Sequence, residues 1–445
     1  MKKATLEATD ENILQSIQEQ TGTARNTEIM EFIKALDLIE ENVFISLDAR
    51  WGEGKTFYVR QIEKTLEYQT MKKFGTDDTK DELDKIKPYF AGTPIEDMDL
   101  VNSYFPVYYN AWLYDNHADP LLSLLYVVVK KCGKIINSQL TKEKSDRIKQ
   151  VLQSIQVNFP FFSINGEQVV NAVSNKNIFE EIQLAEDIRN EVKLIFDEVI
   201  VEQAQKLVIF IDELDRCRPS YALEMLERIK HYFDDDRIIF IVSMNKEQLI
   251  HTISNYYGVG FDSTGYLNKF FDLEMYLPKV STINKHIDRY NSNQQWFNYF
   301  ANLMIKYYKF SLRDALIFKQ RIELLKRDGK ITDHYFRMRL RGYCLSMFVP
   351  ILIAMQMKDI EKAKKFENGE TDIFEVLLNM QEGKDFYASF GENGYEKIKA
   401  IYEFAFTDEN EEVLKKVGLS SGDVGENLKE ACVRRIGYRK GQLLL

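Results

Sequence analysis

The residues with the clearest chemical pattern lie near the amino end, where ARWGEGKT (residues 49–56) follows an apolar run at 43–47. The spacing of two glycines, a lysine and a threonine fits a phosphate-binding loop, with Ala49 in place of the usual first glycine. Gly52 and Gly54 remove the Cβ and permit positive φ, so that main-chain N–H groups can turn inward around an anion. Lys55 is then placed to reach the β and γ phosphates of a triphosphate and Thr56 to ligate Mg²⁺, while the helix expected next adds its N-terminal dipole. The expected nucleotide contacts are Ala49, Arg50, Trp51, Gly52, Glu53, Gly54, Lys55, Thr56 and Phe57. A purely structural strand-to-helix turn is the other reading of these residues.

A second reactive group sits in LVIFIDELDRC (residues 207–217), where an apolar strand delivers Asp212 and Glu213 to its carboxyl edge. That edge is where ligands bind in open α/β sheets. Asp212 would hold Mg²⁺ through water and Glu213 would polarise an attacking water, the alternative being a helix N-cap. Asn245 ends the strand IVSMN, either touching the γ phosphate or forming a turn. Asp215, Arg216 and Arg218 either pair among themselves at the surface or position a phosphate. The five histidines form no metal pattern, and no Ser/His/Asp or Cys/His set is legible.

The elements that must position these groups read as an α/β protein. Residues 1–41 form a helical entry segment and residues 42–138 the first part of the core, with strands at 43–47 and 105–112. The acidic stretch 75–100 reads as loop, and a helix starts at Pro120. Residues 139–200 read as a mostly helical insertion. Residues 201–280 resume the core with apolar runs at 206–215, 237–245 and 270–278, the continuous pattern of a parallel sheet covered on both faces. Residues 281–445 read as helical, and FVPILIAM (348–355) as a buried helix carrying a proline.

Composition bounds the rest. The chain has 445 residues, 45% hydrophobic and 29% charged, with 8 prolines and 21 glycines, so most of it should fold into two or three domains. A formal charge of -10 argues against general adhesion to nucleic acid. Four scattered cysteines suggest reduced, buried thiols, and no apolar window reaches the length of a membrane span. A cytoplasmic protein is expected.

Several pieces together resemble the KAP family of P-loop NTPases, within the division that also holds the AAA+ proteins: ARWGEGKTF, VYYNAW (107–112), IFIDELDRC (209–217), YLNKFFDLEMYLP (266–278) and SLRDALIF (311–318). The resemblance spans about residues 25–320. It implies ATP binding and hydrolysis on a central parallel sheet of order 5-1-4-3-2 flanked by helices, with an all-helical lid and C-terminal domain. Lys55 and Thr56 then hold nucleotide and Mg²⁺, Asp212 and Glu213 are the Walker B pair, and Asn245 is similar to the sensor at the fourth strand. Arg313 is similar to the lid arginine that senses the γ phosphate, and Lys269 stands where related ATPases act across a subunit interface. Asn110 and Trp112 are expected to brace the sheet edge, with ATP contact as the other reading. Glu53 departs from the small residue usual in the loop and brings negative charge toward phosphate.

These features imply a Mg-dependent ATPase acting as a conformational or assembly switch, with a protein partner or homo-oligomer and a role in anti-phage defence. Two rivals are a nucleic-acid-associated ATPase, suggested by FRMRLRGY (336–343) and VRRIGYRK (433–440), and a scaffold that binds ATP without hydrolysing it.

Overall fold

The computed structural model of the chain describes residues 7–19, 25–75, 79–117, 119–139, 204–233, 235–258, 260–277, 295–327, 340–389, 391–407, 410–419, 428, 429 and 432. They fall in two compact units, one within Glu7–Val280 and one within Ser281–Leu445. The expected insertion lies outside the described residues from position 140 onward, as do the first half of FRMRLRGY and all of VRRIGYRK.

The first unit contains, in chain order, α1 (Asp10–Gln18), α2 (Asn26–Asp37), β1 (Val43–Asp48), α3 (Lys55–Phe74), α4 (Lys80–Phe90), β2 (Tyr104–Asn110), α5 (Ala111–Tyr114), α6 (Pro120–Gln139), β3 (Lys206–Asp212), α7 (Pro219–Tyr232), β4 (Ile238–Met244), α8 (Lys246–Tyr257), α9 (Ser263–Asn268) and β5 (Leu273–Tyr276). Its five strands form one parallel sheet ordered β2-β3-β4-β1-β5, the expected 5-1-4-3-2 read from the other edge.

The sheet forms because β3 and β4 are apolar enough to be buried at all seven positions of each strand. Alternation sends Val208, Phe210, Ile239 and Ile241 to the face covered by α1, α2 and α3, where they meet Ile17, Phe32, Tyr58 and Ile62. It sends Ile209, Ile211, Phe240 and Val242 to the other face, against Leu124 of α6, Ile229 of α7 and Ile253 of α8. Each such side chain contributes about 1.5–3 kcal/mol of burial, so the central strands hold the sheet.

Three sequence expectations need correction. The 105–112 strand stops at Asn110, because the Asn110 Oδ1 accepts from Leu113 N at 3.1 Å and caps α5. The stretch 75–100 is not all loop: Leu83, Ile86 and Tyr89 recur at helical spacing in α4, and Phe90 stacks on Tyr68 with ring centroids 4.1 Å apart. The last strand is not buried, since β5 is a four-residue edge strand with Tyr276 70% exposed.

The described part of the second unit is helical: α10 (Gln295–Tyr307), α11 (Leu312–Arg327), α12 (Leu340–Lys358), α13 (Ile360–Glu367), α14 (Ile373–Leu378), α15 (Gln381–Ser389), α16 (Gly394–Phe406) and α17 (Glu411–Lys416). Its core surrounds α12, where Phe348 contacts the rings of Phe366, Phe374, Tyr402 and Phe406. Residues 348–355 are buried in that core, and no described helix is long and apolar enough to cross a membrane. Cys217, Cys344 and Cys432 are buried and in no disulfide.

Candidate functional site

The phosphate-loop residues leave the carboxyl end of β1, a strand held on both sides by β4 and β5. The take-off is fixed by three bonds: Ala49 N to Met244 O at 3.1 Å, Leu277 N to Asp48 O at 3.0 Å, and Lys246 N to the Asp48 Oδ1 at 2.9 Å. Gly52 and Gly54 then take φ of 84° and 91°, where a Cβ is strained, and Gly54 is the N-cap of α3. It supplies no side-chain cap, so the N–H groups of the first helical turn are left for another acceptor. Lys55 and Thr56 are the first two residues of that turn, and Phe57 packs against the core beside them.

The odd residue of the loop, Glu53, has a local role. Its carboxylate accepts from Arg50 N at 3.0 Å, closing the loop on itself. Arg25, buried to 4% exposure, donates from Nη2 to the Glu53 carbonyl at 3.0 Å and lies over the Tyr58 ring. Burial pushes the Arg25 pKa down to about 10 despite the neighbouring Tyr58, Glu28 and Glu53. Trp51, half exposed, donates its indole N–H to Asp215 and so ties the loop to the turn after β3.

Lys55 is buried, and its ammonium donates to the carbonyls of Ala49 at 2.6 Å and Arg50 at 3.3 Å. Burial lowers its pKa, while the carboxylates of Asp215, Asp212, Asp48 and Glu53 act against that shift. Asp212 is fully buried at the end of β3 and accepts from the Tyr108 hydroxyl and from Glu213 N, each at 3.0 Å. Glu213 sits in the left-handed region at φ 62°, a strained conformation for a side-chain-bearing residue. Its carboxylate accepts from the Asn110 Nδ2 at 3.3 Å and pairs with Arg216 at 3.0 Å. Burial raises the Glu213 pKa, helped by Asp212 and Asp215 and opposed by Arg216 and Asn110.

The structure therefore brings Ala49 to Phe57 and Asp212 to one place, with Glu213 beside it on the same strand end. The Asn245 Oδ1 accepts from Gln248 N at 3.3 Å and caps α8. Arg313 lies in the first turn of α11 in the second unit, and Lys269 is exposed at the end of α9. Arg216 reaches back to Glu213 and lies over the Trp112 ring at 5.5 Å, whereas the Arg218 main chain bonds Asp115.

Three contacts escaped the sequence. Asn110 touches Glu213 as well as bracing the sheet edge, and Tyr108 of the same motif holds Asp212. Arg25 carried no signal, because nothing in its helical segment marks it as facing Glu53. A loop of inward-turning main chain, a lysine resting on its carbonyls and a buried carboxylate within that lysine's field make a donor set that fits a phosphate with a divalent cation.

Residues 23–294 match the sequence model of the KAP family P-loop domain. The chain is similar to the phage T7 exclusion protein of Escherichia coli (strain K12), 24% identical over 255 residues, which is 56% of this chain and 32% of that protein. It therefore spans only about a third of that relative. It is also similar to an uncharacterised protein of Methanocaldococcus jannaschii, 25% identical over 170 residues, covering 30% of this chain and 86% of the relative. Among solved structures it resembles the Aeropyrum pernix ORC2 protein in ADPNP-ADP complexes, with a TM-score of 0.35 and 12% identity over 95% of this chain and 98% of that one.

Proposed function

The chain belongs to the KAP family of P-loop NTPases, and from that premise we propose that it is a Mg-dependent ATPase whose nucleotide state switches its conformation or assembly. The observation that supports this most is the junction of the loop with the end of β3, where the Trp51 indole donates to Asp215 and the buried Lys55 ammonium lies near the carboxylates of Asp215 and Asp212, across two segments far apart in sequence. In this reading the N–H groups of residues 50–56 receive phosphate oxygens, and Lys55 exchanges the Ala49 and Arg50 carbonyls for them. Thr56 and Asp212 would hold the metal, which would supply neutralisation of the phosphate charge. Glu213 takes the proton of the attacking water, a role its raised pKa suits once the carboxylate is free. Asn245 acts at the γ phosphate, and the change is carried to a protein partner or a second copy.

Phosphate release by wild type, Lys55→Ala and Glu213→Gln tests the reading. Wild-type turnover should vanish in both variants, with ATP binding kept by Glu213→Gln; equal rates in wild type and Glu213→Gln would falsify it. The similarity to a phage T7 exclusion protein supports a role in excluding phage. Plating efficiency of phage on cells carrying wild type or Glu213→Gln tests that role, and equal plaque counts remove it.

A further inference from the structure

Ser243 is the lone polar residue of β4 and is fully buried. Its hydroxyl has no hydrogen-bond partner. Burying such a group without a partner disfavours the folded state, and alanine would pack there without that penalty. The residue is also specifically placed. Ser243 is the register partner of Asp212 on the adjacent parallel strand, so both side chains leave the sheet on the same face. It is the α3 face, since Ile239 and Ile241 before Ser243 share a cluster with Val208 and Phe210 before Asp212. Leu47, the β1 register partner of Ser243, packs in that cluster as well, one residue before the Asp48 that anchors the loop. The two donors on Asp212 are Tyr108 and Glu213 N, and Ser243 is not one of them.

We propose that Ser243 is a positioning residue of the metal site, its hydroxyl hydrogen-bonding a water of the Mg²⁺ shell beside Asp212. The proposal rests on the ATPase reading above. Magnesium keeps several of its waters and holds few protein ligands, so neighbouring hydroxyls that orient those waters set its affinity. A hydroxyl kept beside the metal carboxylate, in a strand that is otherwise apolar, is placed for that task.

Thermal unfolding of the full chain tests it without relying on turnover. Ser243→Ala alone should melt roughly 2 °C higher than wild type, because an unpartnered group is removed. With Mg²⁺ titrated at saturating ATP, the variant should need about 10-fold more Mg²⁺ for half of the ligand-induced shift. The ATP needed at saturating Mg²⁺ should not change. An unaltered Mg²⁺ midpoint, a change in the ATP midpoint instead, or an unaltered melting temperature without ligand each overturns the proposal while a wild-type shift absent from Lys55→Ala keeps the ATPase reading standing. No shift in wild type itself overturns both.

Discussion

The Arg216 guanidinium lies 3.0 Å from the Glu213 carboxylate and over the Trp112 ring, so the cation that faces the proposed base is itself steadied by an exposed aromatic. Burial raises the Glu213 pKa above its ordinary 4.5, and Arg216 is the strongest force holding it down. A general base works only when deprotonated, so hydrolysis should fall as pH drops through that raised pKa. Removing Arg216 raises it further. Phosphate release against pH should therefore show the acid limb of Arg216→Ala displaced upward from that of wild type, and a downward or null displacement denies the pairing.

Asn110 allows a cleaner separation of architecture from chemistry. Its Oδ1 caps α5 and its Nδ2 faces Glu213. Asn110→Asp keeps the cap but turns a donor into a second carboxylate, which must push the Glu213 pKa upward. The expected result is little change in unfolding free energy together with a displaced acid limb. A stability loss with an unmoved pH profile would assign Asn110 to the sheet edge alone.

Tyr108→Phe removes the hydroxyl that Asp212 accepts at 3.0 Å and leaves that fully buried carboxylate with fewer donors. Hydrogen bonds to charged groups contribute about 1.5–3 kcal/mol, so urea unfolding should register a loss of that size. A loss under about 0.5 kcal/mol, the spread of ordinary surface substitutions, contradicts the contact.

On α3 and α6, Lys131 pairs with Glu63 at 2.8 Å and Glu67 at 2.6 Å, all three side chains being mostly buried. Lys131→Met removes one of two cations from each carboxylate, Arg60 still pairing with Glu63 and Lys64 with Glu67, and should cost about 1.5–3 kcal/mol. The pH dependence follows from Glu67, whose pKa is held below its ordinary 4.5 by Lys131 and Lys64 against the opposing effect of burial. A depressed carboxylate contributes stability that is present above the unfolded value and lost as pH falls below it. Wild type should thus lose stability below pH 4.5 more steeply than Lys131→Met. Parallel acid-unfolding curves for the two proteins would dismiss the network.

Elements that announce themselves by apolar pattern were readable from the chain: the run at 43–47 differs from β1 by one residue at one end and the run at 237–245 from β4 by one residue at each end. Patterns that compete were not. In α4 a charged surface and Pro88 hide the helical recurrence of Leu83, Ile86 and Tyr89, and in NAW the residue that looks like the continuation of a strand is its stop, because Asn110 bonds forward to Leu113. The loop and Asp212 were visible because both are local motifs. Arg25 on Glu53, Trp51 on Asp215 and Arg216 on Trp112 were not, since side-chain pairs between distant segments leave no periodicity.

The fastening of Asp48 and Ala49 has a mechanical consequence. Main chain from β4, α8 and β5 grips those two residues, while Tyr58 N bonds the Gly54 carbonyl and anchors the far end in α3. Residues 50–53 thus hang between two fixed posts, so any movement a guest imposes there is passed to a strand at one end and to a helix at the other.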